Sequence, residues 1–316
     1  MAAFNTPRRG DPDSWYPAGV PGIQARWIEL RGGGGGGGGE RVRVVEPEWN
    51  GAEPTSVALL LHGWGCNAFH FRLLIPELTR RNIHPVAVDL RGHGLSEKPT
   101  ELAAYAPSAL VEFTRRVIDT LGYERVGLLG HSLGGAIALD TAIAEPARVA
   151  WLELINPAGL TRIPTAPVFT RFPVRISERI PVAASHAFAF AALYWAYGTI
   201  TRPQPGDLEQ YFFPTLMPGG RYGVLAYTKG FSWEPRPLSA LERLTCPTLV
   251  MLGERDRVIS TAAVLRHLSR VPQIRVDVVK RAGHVLAEEA VEQVADAAAA
   301  LARAPNAASR DQAGIP

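Results

Sequence analysis

Six short apolar runs, VALLLH, PVAVDL, VGLLG, WLELIN, TLVMLG and RVDVV, recur between Val57 and Val279 and limit the possible folds more than any other feature. Each is too short for an ordinary helix and rich in Val, Leu and Ile, the composition of strands covered on both faces. Helix-length amphipathic segments, such as Tyr105 to Leu121 and Ile137 to Ala144, separate most of them. The alternation predicts an α/β fold with a mostly parallel, doubly wound sheet, because parallel neighbours need a crossover and helices supply it. Upstream, IQARWIEL and RVRVVE alternate as two further strands. The glycine run joining them, Gly32 to Gly39, reads as an inserted loop; no Gly-Lys-Ser/Thr follows to make it a phosphate cradle.

The interval from Asn156 to Cys246 breaks the alternation and is too long for an ordinary connection. Dense in aromatic residues and proline, it reads as an inserted subdomain, some of its side chains forming a small core and others roofing a pocket. Residues 1–22 and 305–316 lack apolar periodicity and are expected to be a flexible arm and tail. With 47% apolar and 20% charged residues, the rest should fold normally. The net charge of +3 is spread over scattered arginines, so nucleic acid is not an expected partner. Cys66 and Cys246 have neither metal-ligand nor disulfide spacing and are expected as small buried hydrophobes. No apolar segment follows Arg8 and Arg9, so a secretory signal is not expected and a cytoplasmic location is. The longest apolar stretch, Val182 to Ile200, approaches spanning length but contains Ser185, His186, two tyrosines and a tryptophan, so a membrane is not expected as a partner.

The strongest chemical signal is Gly130-His131-Ser132-Leu133-Gly134-Gly135, which follows an apolar strand and opens a helical pattern. A strand-to-helix turn this tight needs neighbours almost free of side chains, and it thrusts the serine outward as a nucleophile. A serine hydroxyl needs a base to take its proton, and the base needs a group that orients it. Asp256 lies just past TLVMLG and His284 just past RVDVV, so in a parallel sheet both reach the edge that carries Ser132. Asn156 ends the sixth run but cannot act as the acid, and Glu153 stands three residues too early. The backbone N–H of Leu133 should hold the developing oxyanion, with a second donor from His62-Gly63-Trp64-Gly65, where the glycines free the Trp64 amide to turn. His62 is read as a structural histidine that fixes this loop.

Together with Asp89-Leu90-Arg91-Gly92-His93-Gly94-Leu95-Ser96, these motifs resemble the α/β-hydrolase family, specifically its serine esterase and cofactor-free haloperoxidase-like branch, over roughly Ile23 to Leu301. The resemblance implies the α/β-hydrolase fold, with residues 23–156 and 242–304 as core and 157–241 as a helical cap. It also implies that Asp89, Arg91, His93 and Ser96 form a rigid turn beside the site. A serine where dehalogenases and epoxide hydrolases of similar fold carry aspartate points away from their chemistry. The expected reaction is hydrolysis of a small hydrophobic or aromatic carboxylic ester, with no metal or organic cofactor and with the oligomeric state open. Carbon–carbon, lactone or thioester hydrolysis, perhydrolysis, and a receptor-like protein with little turnover remain alternatives.

Overall fold

The computed structural model describes residues 7–30, 39–49, 53–163 and 173–304. The expected tail, 305–316, and all but Gly39 of the glycine run lie outside them. Eight strands form one sheet: β1 (Ile23–Leu30), β2 (Glu40–Pro47), β3 (Ser56–Leu61), β4 (Ile83–Val88), β5 (Val126–His131), β6 (Val149–Ile155), β7 (Thr248–Gly253) and β8 (Arg275–Val279). Their order is β1-β2-β4-β3-β5-β6-β7-β8. The pairs β1·β2 and β2·β4 are antiparallel, and every pair from β4 onward is parallel. This is the α/β-hydrolase fold, and the carboxyl ends of β5, β7 and β8 point to one edge.

Helices α1 (Leu74–Arg80), α2 (Pro107–Leu121) and α3 (Leu133–Ala144) cover the sheet with α8 (Thr261–Leu268), α9 (Leu286–Glu289) and α10 (Val291–Arg303). Helix α2 illustrates the coding. Pro107 opens it, Leu110, Phe113, Thr114, Val117 and Ile118 make one buried stripe, and Gly122 closes it in the left-handed conformation at φ 81°. One core holds α2, α3 and α8 against the sheet and the other holds α1, α9 and α10. Each fully buried Leu, Ile or Phe in these layers contributes about 1.5–3 kcal/mol relative to exposure.

The insertion between β6 and β7 is helical, comprising α4 (Val182–Ala196), α5 (Asp207–Phe212), α6 (Gly220–Gly230) and α7 (Leu238–Leu241). A buried ionic cluster ties it to the core. Arg72 Nη2 donates to Asp207 at 2.8 Å and to Glu288 at 2.7 Å, and Glu288 also accepts from the Tyr197 and Tyr211 hydroxyls. Among the described residues no helix is long and apolar enough to cross a membrane.

Three expectations need correction. The expected arm, residues 1–22, is anchored within its described part, 7–22: Trp15 and Tyr16 are 4% and 3% exposed, and Tyr16 N–H donates to Gln210 Oε1 at 2.9 Å, while residues 1–6 lie outside the described residues. Two large aromatic side chains gain enough from burial to anchor a segment that has no periodicity. The run RVDVV is the sheet's edge strand, paired on one side with β7, and of its residues only Val279 is buried, with Val276 half-buried against the core and the other three exposed. Cys66 and Cys246 are half-buried free thiols, and burial pushes the Cys66 thiol up to about 12.

Candidate active site

β5 ends at His131 and α3 begins at Leu133, so Ser132 alone makes the turn, at φ 53° and ψ −113°. A non-glycine residue held in that region is strained, and such strain persists only where the surroundings over-determine it. Here they do. A Cβ on Gly134 would lie 2.0 Å from Leu61 O, and one on Gly130 would lie 2.4 Å from Gly134 O, so no side chain fits at either position. Ser132 N–H donates to Ile155 O at 3.0 Å, which pins the turn to β6.

Asp256 follows β7 with its side chain fully buried. Its Oδ1 accepts the backbone N–H groups of Val258 and Ile259 at 2.7 and 2.9 Å, and its Oδ2 lies 2.7 Å from His284 Nδ1. The carboxylate is thereby aimed at one ring nitrogen. Nδ1 carries the proton and Nε2 is left as the basic nitrogen, the tautomer a general base requires. Ser132 Oγ makes no hydrogen bond among the described residues.

The backbone of His284 is held by residues to which the sequence reading gave no role. Asn156 donates from Nδ2 to Gly283 O and His284 O at 3.0 and 2.9 Å, and its Oδ1 accepts Gly253 N–H at 2.8 Å. His131 Nε2 donates to His284 O at 2.8 Å, and its ring stacks on that of His70 at 4.4 Å and meets that of His284 at 4.7 Å, tilted by 56°. Burial holds His131 well below the usual histidine range, so it stays neutral. Glu289 accepts the N–H groups of Gly283 and Gly198 at 2.8 and 2.9 Å, and His284 N–H donates to Ala196 O at 2.7 Å. Gly198 and Gly283 approach so closely that a Cβ on Gly283 would lie 2.2 Å from Gly198 N. The helical insertion and the histidine loop are thus in direct backbone contact.

The His62-Gly63-Trp64-Gly65 loop borders the serine: a Cβ on Gly63 would sit 3.4 Å from Ser132 Cβ. His62 donates from Nδ1 to Gly63 O at 2.8 Å and accepts Leu90 N–H on Nε2 at 3.0 Å, while burial lowers its pKa to about 4. His93 Nε2 accepts Gly65 N–H at 3.1 Å, and Asp89 accepts from Ala68 N–H and Leu95 N–H at 2.8 and 2.9 Å. Ser96 Oγ donates to Asp89 O at 2.6 Å, and Arg91 pairs with Glu40 through two 2.6 Å contacts. These residues fix loops, as expected of them. The Trp64 indole donates to Val224 O at 2.7 Å, tying the loop to α6. Leu133 N–H, at the amino end of α3, donates to no protein group among the described residues. Glu153 is fully buried with neither oxygen hydrogen-bonded, and burial raises its pKa well above the carboxylate range. Among the described residues no group of three or more His, Cys, Asp or Glu has metal-ligating geometry.

Residues 58–297 match the family model described as the Alpha/beta hydrolase family. The chain is 30% identical over 211 residues to the AB hydrolase superfamily protein YisY of Bacillus subtilis (strain 168), covering 63% of this chain and 74% of that protein. It is 29% identical over 279 residues to the Magnesium-chelatase 30 kDa subunit of Rhodobacter capsulatus, covering 80% and 90% respectively. Among solved structures, the carboxylesterase CesB (YbfK) of Bacillus subtilis superposes with a TM-score of 0.71 at 20% identity, covering 92% of this chain and 94% of that one.

Proposed function

Since the chain belongs to the alpha/beta hydrolase family and is a hydrolase, we propose that it cleaves a hydrophobic or aromatic carboxylic ester through an acyl-enzyme on Ser132. The observation that carries this reading is the buried Asp256–His284 pair at 2.7 Å, at the same sheet edge as a strained serine turn. His284 Nε2 takes the Ser132 proton as Oγ attacks the acyl carbon. The amides of Leu133 and Trp64 hold the negative charge that develops on the carbonyl oxygen. The protonated imidazole, stabilised by ionised Asp256, then gives its proton to the departing alcohol. Water, deprotonated by the same nitrogen, attacks the acyl-serine and frees the acid. The substrate is a small acyl compound, since a helical insertion with many aromatic side chains and direct contact to the histidine loop favours an apolar acyl group.

The test is turnover of a chain-length series of p-nitrophenyl esters by wild type and Ser132→Ala, with fluorophosphonate labelling in parallel. Both signals should vanish in the variant. Labelling without ester turnover would move the reading to another acyl bond, and a folded wild type that does neither would refute it.

A further inference from the structure

From Ile180 to Thr201 the chain runs for 22 residues without Asp, Glu, Lys or Arg. Most of that run is α4, and no residue of α4 is buried. Its half-covered stripe, which includes His186, packs towards α5, where the His186 and Phe212 rings meet at 5.1 Å. The opposite side, which on a surface helix normally carries charges, presents Phe190, Tyr194 and Trp195 at 48%, 43% and 44% exposure, with Ile200 beyond the helix at 45%.

Cations gather at both ends of this face. Thr199, just past the helix, receives Arg255 Nη1 on its hydroxyl at 3.2 Å and donates its N–H to Arg281 O at 3.0 Å. Arg202 Nη1 donates to Gly198 O, and Lys280 adjoins Arg281. These four side chains are exposed, and among the described residues none forms an ion pair; the acids beside them are Glu254, which accepts Arg281 N–H at 2.9 Å, Glu289, which is taken up by Gly198 N–H at 2.9 Å, and Glu292, which lines the surface shared by Ile200 and Lys280. Exposed Arg179 precedes the uncharged run, while the neighbouring Glu178 is occupied by Arg221.

We propose that α4 and its flanking arginines dock this protein on an anionic lipid surface. A helix of 15 residues is about 22 Å long, too short for a bilayer core of about 30 Å, so it lies in the interface plane with its rings among the acyl chains. Tyr194 and Trp195 suit the headgroup level, and the arginines meet lipid phosphates. The sequence expectation against a membrane partner concerned spanning, which this arrangement does not require. A second copy is a poorer occupant, because both ends of the face are basic and either alignment of two such helices brings like charges together. Since Ala196 O holds His284 N–H, the docked face adjoins the histidine loop, and on the ester-hydrolase reading it selects esters carried in a lipid layer.

The test uses full-length Ser132→Ala, which leaves the vesicles intact, in sedimentation with phosphatidylcholine vesicles that contain or lack phosphatidylglycerol. Binding should be at least tenfold stronger to the anionic vesicles. It should weaken tenfold or more in high salt, in Arg202→Glu/Arg255→Glu and in Phe190→Glu/Trp195→Glu. The last variant, on a wild-type Ser132 background, should keep its melting temperature and its turnover of soluble p-nitrophenyl acetate. Vesicle binding without ester turnover in the wild type would sink the ester-hydrolase reading and leave the docking intact. Absent binding, equal binding to neutral vesicles, or a concentration-dependent dimer lost in Phe190→Glu/Trp195→Glu would overturn the proposal.

Discussion

Replacing Glu288 with glutamine tests how the helical insertion is fastened to the core. The wild-type side chain is 2% exposed, and its carboxylate accepts from Arg72 and the hydroxyls of Tyr197 and Tyr211, with His70 Nδ1 3.5 Å away. The glutamine keeps the shape but removes the charge, leaving Arg72 buried with Asp207 as its one remaining carboxylate in this cluster. Breaking one member of a buried ion pair costs about 3–5 kcal/mol, because the other charge stays out of water. At about 2.1 cal/mol/K of unfolding entropy per residue over roughly 300 residues, each kcal/mol moves Tm by about 1.6 °C, so the variant should melt about 5–8 °C lower at pH 7. Burial alone would raise the Glu288 pKa, but Arg72 and His70 hold it below the usual carboxylate range. Its stabilisation is therefore complete above the unfolded value of about 4.3 and is lost as pH falls below it, so the gap between wild type and variant should narrow towards pH 3. Thermal melts at pH 7, 4 and 3 measure this. A shift under about 2 °C at pH 7, or a gap that does not change with pH, would refute the argument.

Asp256→Asn should preserve the fold yet lower kcat on ester substrates by about 10⁴-fold, because an amide presents the wrong partner to His284 Nδ1; steady-state kinetics with a melting curve checks both halves. Gly134→Ala should abolish turnover and lower soluble yield, since its Cβ would sit 2.0 Å from Leu61 O, and expression followed by fluorophosphonate labelling reads the result. Glu153→Leu should stabilise the protein by about 1–3 kcal/mol at pH 7, because it removes a buried carboxyl without partners. The folded state keeps that proton above the unfolded pKa, so wild-type stability falls as pH rises from about 4.3, and the advantage of Glu153→Leu in denaturant titrations should grow over the same range.

The apolar runs alone determined the strands, because period and composition are local properties, and the glycines around Ser132 marked the elbow because steric exclusion there acts over a few residues. Order along the chain placed Ser132, Asp256 and His284 at the carboxyl ends of strands that proved parallel. Other features depended on partners distant in sequence. His131 stands inside the motif, yet its grip on His284 O appears only when β5 and the loop after β8 converge. Asn156, an amide that cannot act as the acid, bridges two strand ends, and Glu288 and Glu289 gave no signal because their partners lie up to 216 residues away. Trp15 and Tyr16 carried no periodicity, so only the cleft formed by β2, Phe69 and α5 decided that they are buried. The aromatic residues of 157–241 were legible as an insertion, but which of them face water depends on how α4 meets α5, a contact between side chains that no spacing rule encodes.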